Sequence, residues 1–176
     1  MSRRNAPGRA GRASRAGPGG RVAAAPATTP FRHRNLPLLL LQARESVIAH
    51  FRPILNAHGL TEQQWRIVRL LLDAGPLEPR QIGQQCRISS PSLAGVLARM
   101  DEVGLVRRER MAEDQRRVRV SLTPRSRALA AAMAPRIEAV YEVLEAHVGR
   151  DFIDRFYAAL AELIGLLGEL PPVDEG

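Results

Sequence analysis

The residues best suited to chemistry in this sequence are arginines, and one group of them lies near its middle. Eight fall between residues 99 and 125: Arg99, Arg107, Arg108, Arg110, Arg116, Arg117, Arg119 and Arg125. Five acidic residues share this stretch, so eight minus five leaves a local net charge of only +3. A guanidinium group binds phosphates and the edges of bases, which favours a nucleic-acid partner. The alternative is a hairpin whose charges simply face solvent.

A helix over residues 90–100 is predicted to carry part of this group. Ser90 is expected to cap it, because its hydroxyl can accept a hydrogen bond from a free N–H of the first turn, and Pro91 follows where no N–H is needed. The apolar residues recur at three- and four-residue steps and predict one buried stripe: Leu93, Val96, Leu97, Met100 and Val103. Gly104 is expected to end the helix in a left-handed conformation.

The opposite face of this helix is small at its start and cationic at its end, with Ser92, Gly95 and Arg99. Such a face can approach base edges in a major groove. The following residues alternate with period two, which predicts strands at 106–110 and 118–122 joined by a short polar turn at residues 112–115. A capped helix followed by an arginine-rich hairpin indicates a winged helix-turn-helix that binds DNA.

Charge and composition divide the chain into a tail and a domain. The 176 residues carry a formal charge of +8, and residues 1–34 hold eight arginines and no acid, so the remainder is neutral. The tail, rich in Arg, Gly, Ala and Pro, is expected to be disordered, either as an inert extension or as a basic arm attracted to DNA phosphates. Residues 35–172 are predicted to be one domain.

Three further helices have apolar stripes that one winged-helix core cannot cover. They are predicted at residues 36–58, 124–148 and 151–170, with a winged helix over residues 60–123 between them. In the last helix, which Asp151 is expected to cap, the stripe is broad: Ile153, Phe156, Tyr157, Leu160, Leu163, Ile164 and Leu167. A second copy of the chain is expected to cover these faces, which predicts a homodimer.

Several classes of protein are disfavoured. The sequence contains no run of about 18 apolar residues, so we expect no membrane span. No secretory signal is recognisable. Only Cys86 is available as a thiol, which fits a reducing cytoplasm. The chain has no phosphate-binding glycine loop, no nucleophile elbow and no zinc-like spacing among its four histidines, so we expect no enzyme, no cofactor and no metal.

Specific motifs resemble one family. The run DQRRVRVSLT (114–123) is similar to the wing motif and exit strand of MarR-family transcriptional regulators, and LTEQQWRIVRLL (60–71), PRQIGQQC (79–86) and SPSLAGVLARM (90–100) fit in order. The earlier segments most resemble HpaR-like repressors of aromatic-acid catabolism. The resemblance implies a mainly α fold with a small β wing, formed by a DNA-binding lobe and a helical dimerisation lobe.

The same resemblance implies a repressor that a small aromatic carboxylate releases from a pseudo-palindromic operator. The residues expected to contact DNA are Ser89, Ser90, Ser92, Gly95, Arg99, Arg110, Arg116 and Arg117. Asp114 is expected to hold the wing by pairing with an arginine. The ligand is expected between the two lobes, near cations and an aromatic wall supplied by Arg44, His50, Trp65, Arg66 and Arg69.

Two alternatives remain open at this point. Cys86 could make the chain a redox-responsive regulator, although its position late in the third helix favours a small buried side chain. The winged helix could instead be a protein-interaction module that does not bind DNA. Oxidant sensitivity would identify the first alternative, and affinity for duplex DNA with little salt dependence would identify the second.

Overall fold

The chain folds into six helices and a two-stranded antiparallel sheet in the computed structural model, which describes residues 31–111, 114 and 116–169. The elements in order are α1 (Leu36–Ala57), α2 (Glu62–Ala74), α3 (Pro79–Cys86), α4 (Ser90–Glu102), β1 (Val106–Arg110), β2 (Val118–Leu122), α5 (Pro124–Val148) and α6 (Arg150–Gly168). The mainly α architecture with a small β wing is confirmed. The described residues from Pro37 onward belong to one compact unit.

Local sequence signals explain most of the helix boundaries. The Thr61 hydroxyl accepts a hydrogen bond from the Gln64 N–H at 3.2 Å, and the Gln64 side chain accepts one from the Thr61 N–H at 2.9 Å. This reciprocal capping box satisfies two donors that the first turn of α2 would otherwise leave unpaired. Pro79 occupies the first turn of α3, and Thr123 caps α5 by accepting from the Ser126 N–H at 3.2 Å.

Two expected caps are wrong. Helix α4 has Ser89, not Ser90, as its N-cap residue, and the Ser89 hydroxyl donates to that of Ser92 at 3.0 Å instead of capping the backbone. Helix α6 starts at Arg150 after Gly149, whose φ of 90° suits glycine, so Asp151 already lies in the first turn. An acid there still interacts favourably with the positive end of the helix dipole.

The apolar stripe of α4 is shorter than predicted. Leu93, Val96, Leu97 and Met100 are buried, but Val103 is 47% exposed. Val103 is the C-cap residue with φ −86° and ψ 6°, so its side chain lies beyond the last helical turn and leaves the stripe. Gly104 follows with φ 67°, the left-handed conformation predicted for it.

The wing is a regular antiparallel ladder that is also attached to the connection between α2 and α3. Val106 pairs with Leu122 and Arg110 with Val118. Leu77 forms an isolated bridge with Val120, through N···O distances of 3.1 and 2.8 Å. The chain entering α3 therefore lies beside the exit strand of the wing, and their relative position is fixed by backbone hydrogen bonds.

One core joins α2, α3, α4 and the wing to parts of α1 and α5. Its most deeply buried apolar side chains are Leu55, Ile67, Val68, Leu71, Ile82, Leu97, Met100, Val106, Val120 and Met133. Only the C-terminal half of α1 takes part, through Phe51, Ile54 and Leu55. Leu41 and Val47, on the N-terminal half of the same helix, are 54% and 46% exposed.

Helix α6 is apolar yet contributes no buried residue. Large side chains on it that remain exposed are Phe152, Phe156, Tyr157, Ile164, Leu166 and Leu167, and the first turns of α1 expose Leu36 and Leu38 to Leu41. Among the described helices, none combines the length and the apolarity needed to cross a bilayer.

Candidate nucleic-acid interface and effector cavity

The start of α4 presents the small residues that the sequence placed there. Ser89, Ser90 and Ser92 are exposed, Gly95 is half-buried and Arg99 is exposed. A Cβ added at Gly95 would lie 3.5 Å from Nη1 of Arg99, so this guanidinium lies close over the glycine. The face therefore carries small side chains at its N-terminal end and a cation one turn later. This arrangement is suited to contacts with base edges and phosphates.

A groove beside this face was not predicted. It has a volume of about 820 Å³ between α3 and α4 and is lined in part by Arg80, Arg87 and Arg108. None of these three was among the expected DNA contacts. They come from the start of α3, its left-handed C-cap and strand β1, so only the tertiary fold brings them together. They add positive charge where phosphates would flank α4.

Close packing of α3 on α4 depends on Gly83. A Cβ at this position would lie 3.2 Å from the Ile88 carbonyl oxygen and 3.3 Å from Cδ2 of Leu93. Both distances are tight for a carbon, so the Ile88 carbonyl or the Leu93 side chain would have to shift by a few tenths of an ångström to accept a larger residue. Gly83 therefore permits the close approach of α3 to the turn and to the start of α4, which the sequence pattern did not indicate.

Asp114 holds the wing tip through hydrogen bonds to the backbone of its own turn. The Asp114 carboxylate accepts a hydrogen bond from the Arg116 backbone N–H at 2.9 Å, and its carbonyl accepts one from the Arg117 N–H at 3.0 Å. This turn of the backbone is a favoured arrangement for aspartate, and the expected pairing of Asp114 with an arginine side chain stays a prediction. Arg116 is exposed. Residues 112, 113 and 115 of the predicted turn lie outside the described residues.

The two other wing arginines predicted to contact DNA have different surroundings. Arg110 is exposed at the end of β1, opposite Val118. Arg117 instead forms an ion pair with Glu78, the residue before α3, and its Nε lies 3.1 Å from Oε1 of that carboxylate. Glu78 is 39 positions away in sequence, so no local pattern indicated this contact.

A second cavity lies between α2 and α5 and contains two of the five residues predicted to bind the ligand. Its volume is about 310 Å³, close to the lower end of the usual range of about 300–1,000 Å³ for ligand pockets. Helix α2 contributes Trp65, Arg69 and Leu72, and helix α5 contributes Arg127, Ala130, Ala131, Ala134, Ile137 and Glu138. Arg127 is a second cation that no local sequence pattern indicated.

The other three predicted ligand residues do not line this cavity. Arg66 donates a hydrogen bond to the Cys86 carbonyl at 2.6 Å, where it satisfies an unpaired acceptor at the end of α3. Arg44 pairs with Glu45 and Glu62, the latter at 2.7 Å, and His50 is exposed on α1. Helix position alone placed these residues near the ligand, whereas long-range partners hold the two arginines elsewhere.

The Cys86 thiol is poorly suited to redox chemistry. Only 2% of the residue is exposed, and burial raises the pKa of the thiol above its ordinary value, against an opposing effect from the charge of Arg66. Since the thiolate is the reactive form, burial and the raised pKa both disfavour reaction of this thiol. Within the described residues, no three histidine, cysteine or acidic side chains come together as a metal site would require.

Comparisons with known proteins agree with these features. The sequence profile of the MarR family matches residues 58–117. The homoprotocatechuate degradative operon repressor of Escherichia coli is 40% identical over 134 residues, covering 76% of this chain and 90% of the relative. The crystal structure of NadR in complex with 4-hydroxyphenylacetate superposes with a TM-score of 0.70 at 38% identity, covering 78% and 97%. CouR bound to a 23-mer DNA duplex superposes with a TM-score of 0.66 at 27% identity, covering 73% and 92%.

Proposed function

The chain belongs to the MarR family of transcriptional regulators, and we propose that it is a dimeric repressor released from its operator by a small aromatic carboxylate. Its relatives regulate transcription and are not enzymes. The observation that carries the effector half of the proposal is the cavity between α2 and α5, which Trp65 lines together with Arg69 and Arg127.

DNA recognition is assigned to α4 and the wing. The face of α4 that carries small side chains enters the major groove, and Arg99 lies at the edge of that groove. The small residues are Ser89, Ser90, Ser92 and Gly95. Arg116, exposed at the wing tip, reaches the flanking minor groove, where narrow A·T-rich steps concentrate negative potential. CouR, a structural relative, is itself bound to a DNA duplex, which supports this mode.

The exposed apolar faces of α1 and α6 support a homodimer. Single chains of soluble proteins seldom expose so many neighbouring large apolar side chains, whereas obligate dimers bury them. A two-fold dimer presents two copies of α4, so its operator should be a pseudo-palindrome with half-site centres about one helical turn apart. A footprint without any dyad would contradict this geometry.

The effector is proposed to bind in the cavity with its carboxylate between Arg69 and Arg127. A carboxylate that loses hydration needs cationic donors, and the aromatic ring can stack on Trp65. Glu138 lines the same cavity and can accept a hydrogen bond from a ring hydroxyl. A hydroxylated aromatic acid such as 4-hydroxyphenylacetate carries all three groups, and it is the ligand named for NadR.

Induction requires a difference in affinity between two states of the protein. Because the cavity lies between α2 of the DNA-binding lobe and α5, its occupancy can change the spacing of the two α4 helices in a dimer. A ligand that prefers the DNA-incompetent spacing tenfold shifts the equilibrium by about 1.4 kcal/mol per site, and two sites act together. An aromatic-acid catabolic operon is the proposed target, since the E. coli relative represses such an operon.

A mobility-shift titration tests the effector. The complex with an operator duplex should dissociate on adding 4-hydroxyphenylacetate, and the uncharged amide should be much weaker. Arg69→Ala and Arg127→Ala should each raise the required ligand concentration by about tenfold or more, the cost of losing a charged hydrogen bond of about 1.5–3 kcal/mol. Arg44→Ala, which removes the same charge outside the cavity, is the matched control.

The outcomes separate the parts of the proposal. If Arg69→Ala and Arg127→Ala respond to ligand like the wild type, the cavity is not the effector site. If hydroxylated aromatic acids leave the complex intact at all soluble concentrations, the effector class is wrong. If peroxide releases DNA and Cys86→Ser abolishes that release, the redox alternative replaces it.

A further inference from the structure

The contact between Glu78 and Arg117 joins the wing to the helix-turn-helix across 39 positions of sequence. Nε of Arg117 lies 3.1 Å from Oε1 of Glu78, and Nη2 pairs with the same oxygen. The Glu78 side chain is 30% exposed and the Arg117 side chain is 53% exposed. Because Nε and Nη2 both donate to this one oxygen, the edge of the guanidinium that carries them faces the Glu78 carboxylate.

Both partners are fixed by their own backbones. Glu78 precedes α3, and its N–H donates to Oε1 of Gln81 at 2.9 Å. The N–H of Arg117 donates to the Asp114 carbonyl at 3.0 Å, and its carbonyl accepts from the Met111 N–H at 3.0 Å. Arg117 therefore closes the turn of the wing while its side chain reaches the start of α3.

The neighbouring backbone bridge makes this side-chain contact effective. Leu77 and Val120 exchange two hydrogen bonds, so the chain before α3 is already attached to the middle of β2. The bridge anchors this strand, and the ion pair adds a second attachment three residues closer to the tip. Two attachments restrict the rotation of a hairpin more than one can.

We propose that Glu78 and Arg117 form a latch that sets the position of the wing relative to α4, so that an acidic residue increases the affinity of this protein for DNA. Arg117 is then a positioning residue, and Arg116 at the tip makes the DNA contact that the latch orients. This inference rests on the proposed DNA-binding function. It assigns the two neighbouring arginines different tasks.

Simple electrostatics predicts the opposite sign for Glu78. A carboxylate near DNA repels phosphates, so removing it should strengthen binding if it acts only as a charge. An arginine that contacts a phosphate should, when neutralised, reduce the magnitude of the slope of log affinity against log salt by about one. The latch predicts weaker binding in the first case and an unchanged slope in the second.

The experiment uses the full chain and a fluorescent duplex enriched by the wild type from a random pool. Glu78→Gln and Arg117→Gln should each weaken binding by about three- to fivefold, near the upper limit for a partly exposed ion pair. Their salt slopes should equal that of the wild type. The charge-swapped variant, Glu78→Arg with Arg117→Glu, should bind within about twofold of the wild type, since its net charge and pairing are preserved.

Glu109→Gln is the matched control. Glu109 lies on β1 of the same wing and is 62% exposed, so this change removes one wing carboxylate without touching the latch. It should leave binding unchanged or strengthen it. Equal weakening by Glu109→Gln and Glu78→Gln would overturn the latch, as would Glu78→Gln binding as tightly as the wild type. A smaller salt slope for Arg117→Gln, unrescued by the swap, would make Arg117 a phosphate contact.

A measurement without DNA keeps the latch separate from the proposed function. Hydrogen exchange at the amides of residues 106–111 and 117–122 should be faster in Glu78→Gln and in Arg117→Gln than in the wild type, and the swap should restore protection. Unchanged exchange in both single variants overturns the latch. Failure of the wild type to enrich any duplex would contradict the DNA-binding function while this exchange test still stands.

Discussion

The DNA-binding lobe and the outer helices differ in where their apolar residues find partners. In the lobe, α2, α3, α4 and the wing enclose a core in which Ile67 and Ile82 have no exposed surface. In α6 the same residue type behaves differently, since Ile164 is 61% exposed, and no residue of the helix is buried. The lobe is complete within one chain, whereas α6 and the start of α1 lack the surface that would cover them.

This difference separates two sources of stability. The core of the lobe is made by contacts within the chain, so its contribution does not depend on protein concentration. The apolar face of α6 is stabilised only when a second surface removes it from water, which links its folding to association. We therefore expect changes in the two regions to be distinguishable by how their effects vary with protein concentration.

The largest effect is expected from charges placed on the exposed face of α6. Phe156→Asp combined with Ile164→Asp should convert the proposed dimer into monomers, because the interface would bury two unpaired carboxylates from each chain. A monomer reads one half-site, so affinity for the operator should fall on the order of 1,000-fold. Sedimentation and a mobility-shift titration would measure both effects.

Arg155→Asp is the control for this variant. Arg155 is exposed on the same helix but, by helical geometry, projects away from Ile164, so the dimer and its operator affinity should survive. If the doubly substituted chain remained dimeric, another surface would have to form the dimer. Association would then not explain why the apolar face of α6 is exposed within one chain.

The next largest effect is expected from a substitution in the core of the DNA-binding lobe. Ile67→Ala should destabilise the chain by about 2–5 kcal/mol, because it removes buried methyl groups and leaves a cavity among fixed neighbours. Chemical denaturation at several protein concentrations would measure this. The difference from the wild type should be the same at every concentration. A loss that grew on dilution would mean that the core of the lobe also depends on the second chain.

Periodicity predicted well those elements that are specified locally. The stripe from Leu93 to Met100 and the alternation of β2 both depend on neighbours within a few residues, and their structures follow the pattern. The errors at Ser90 and Asp151 are single positions at helix starts, where several nearby residues could serve as the cap.

Site residues that depend on distant contacts could not be predicted in the same way. Arg66 and Arg117 were assigned by helix face and by motif, but a carbonyl 20 residues away and a carboxylate 39 residues away hold their guanidinium groups. Arg127 was missed because only the packing of α2 on α5 brings it close to Trp65. An arginine is attractive in many settings, so residue type alone does not identify its partner.

A smaller effect is expected at the tip of the wing. Arg116→Ala should weaken operator binding by about 1–3 kcal/mol and relax preference at the flanking base pairs, because this exposed arginine is proposed to enter the minor groove. Binding to duplexes with altered flanks would measure it. Dimerisation and the denaturation curve should not change, since Arg116 belongs to neither apolar region. Unchanged affinity and footprint would remove the wing from recognition.

The smallest effect is expected where the two regions meet, at the charged cluster between α1 and the start of α2. The Glu62 carboxylate accepts a hydrogen bond from Nε of Arg52 at 2.5 Å and another from Nη2 of Arg44 at 2.7 Å. The hydrogen bond from Arg52, and then that from Arg44, hold the pKa of Glu62 below its ordinary value, against partial desolvation that raises it. Glu62→Gln should cost about 1 kcal/mol or less at neutral pH, because water screens this cluster.

The pH dependence of that loss identifies its cause. Since the folded pKa of Glu62 lies below the unfolded value, its stabilisation is fully present above the unfolded pKa and is lost as pH falls through the folded pKa. The wild type and Glu62→Gln should therefore differ in melting temperature at neutral pH and converge in acid. Asp73→Asn, which removes an exposed carboxylate 3.6 Å from Arg69, should shift the melting temperature less. A difference for Glu62→Gln that persisted in acid would mean that this side chain acts through packing, and that charge does not join the two regions.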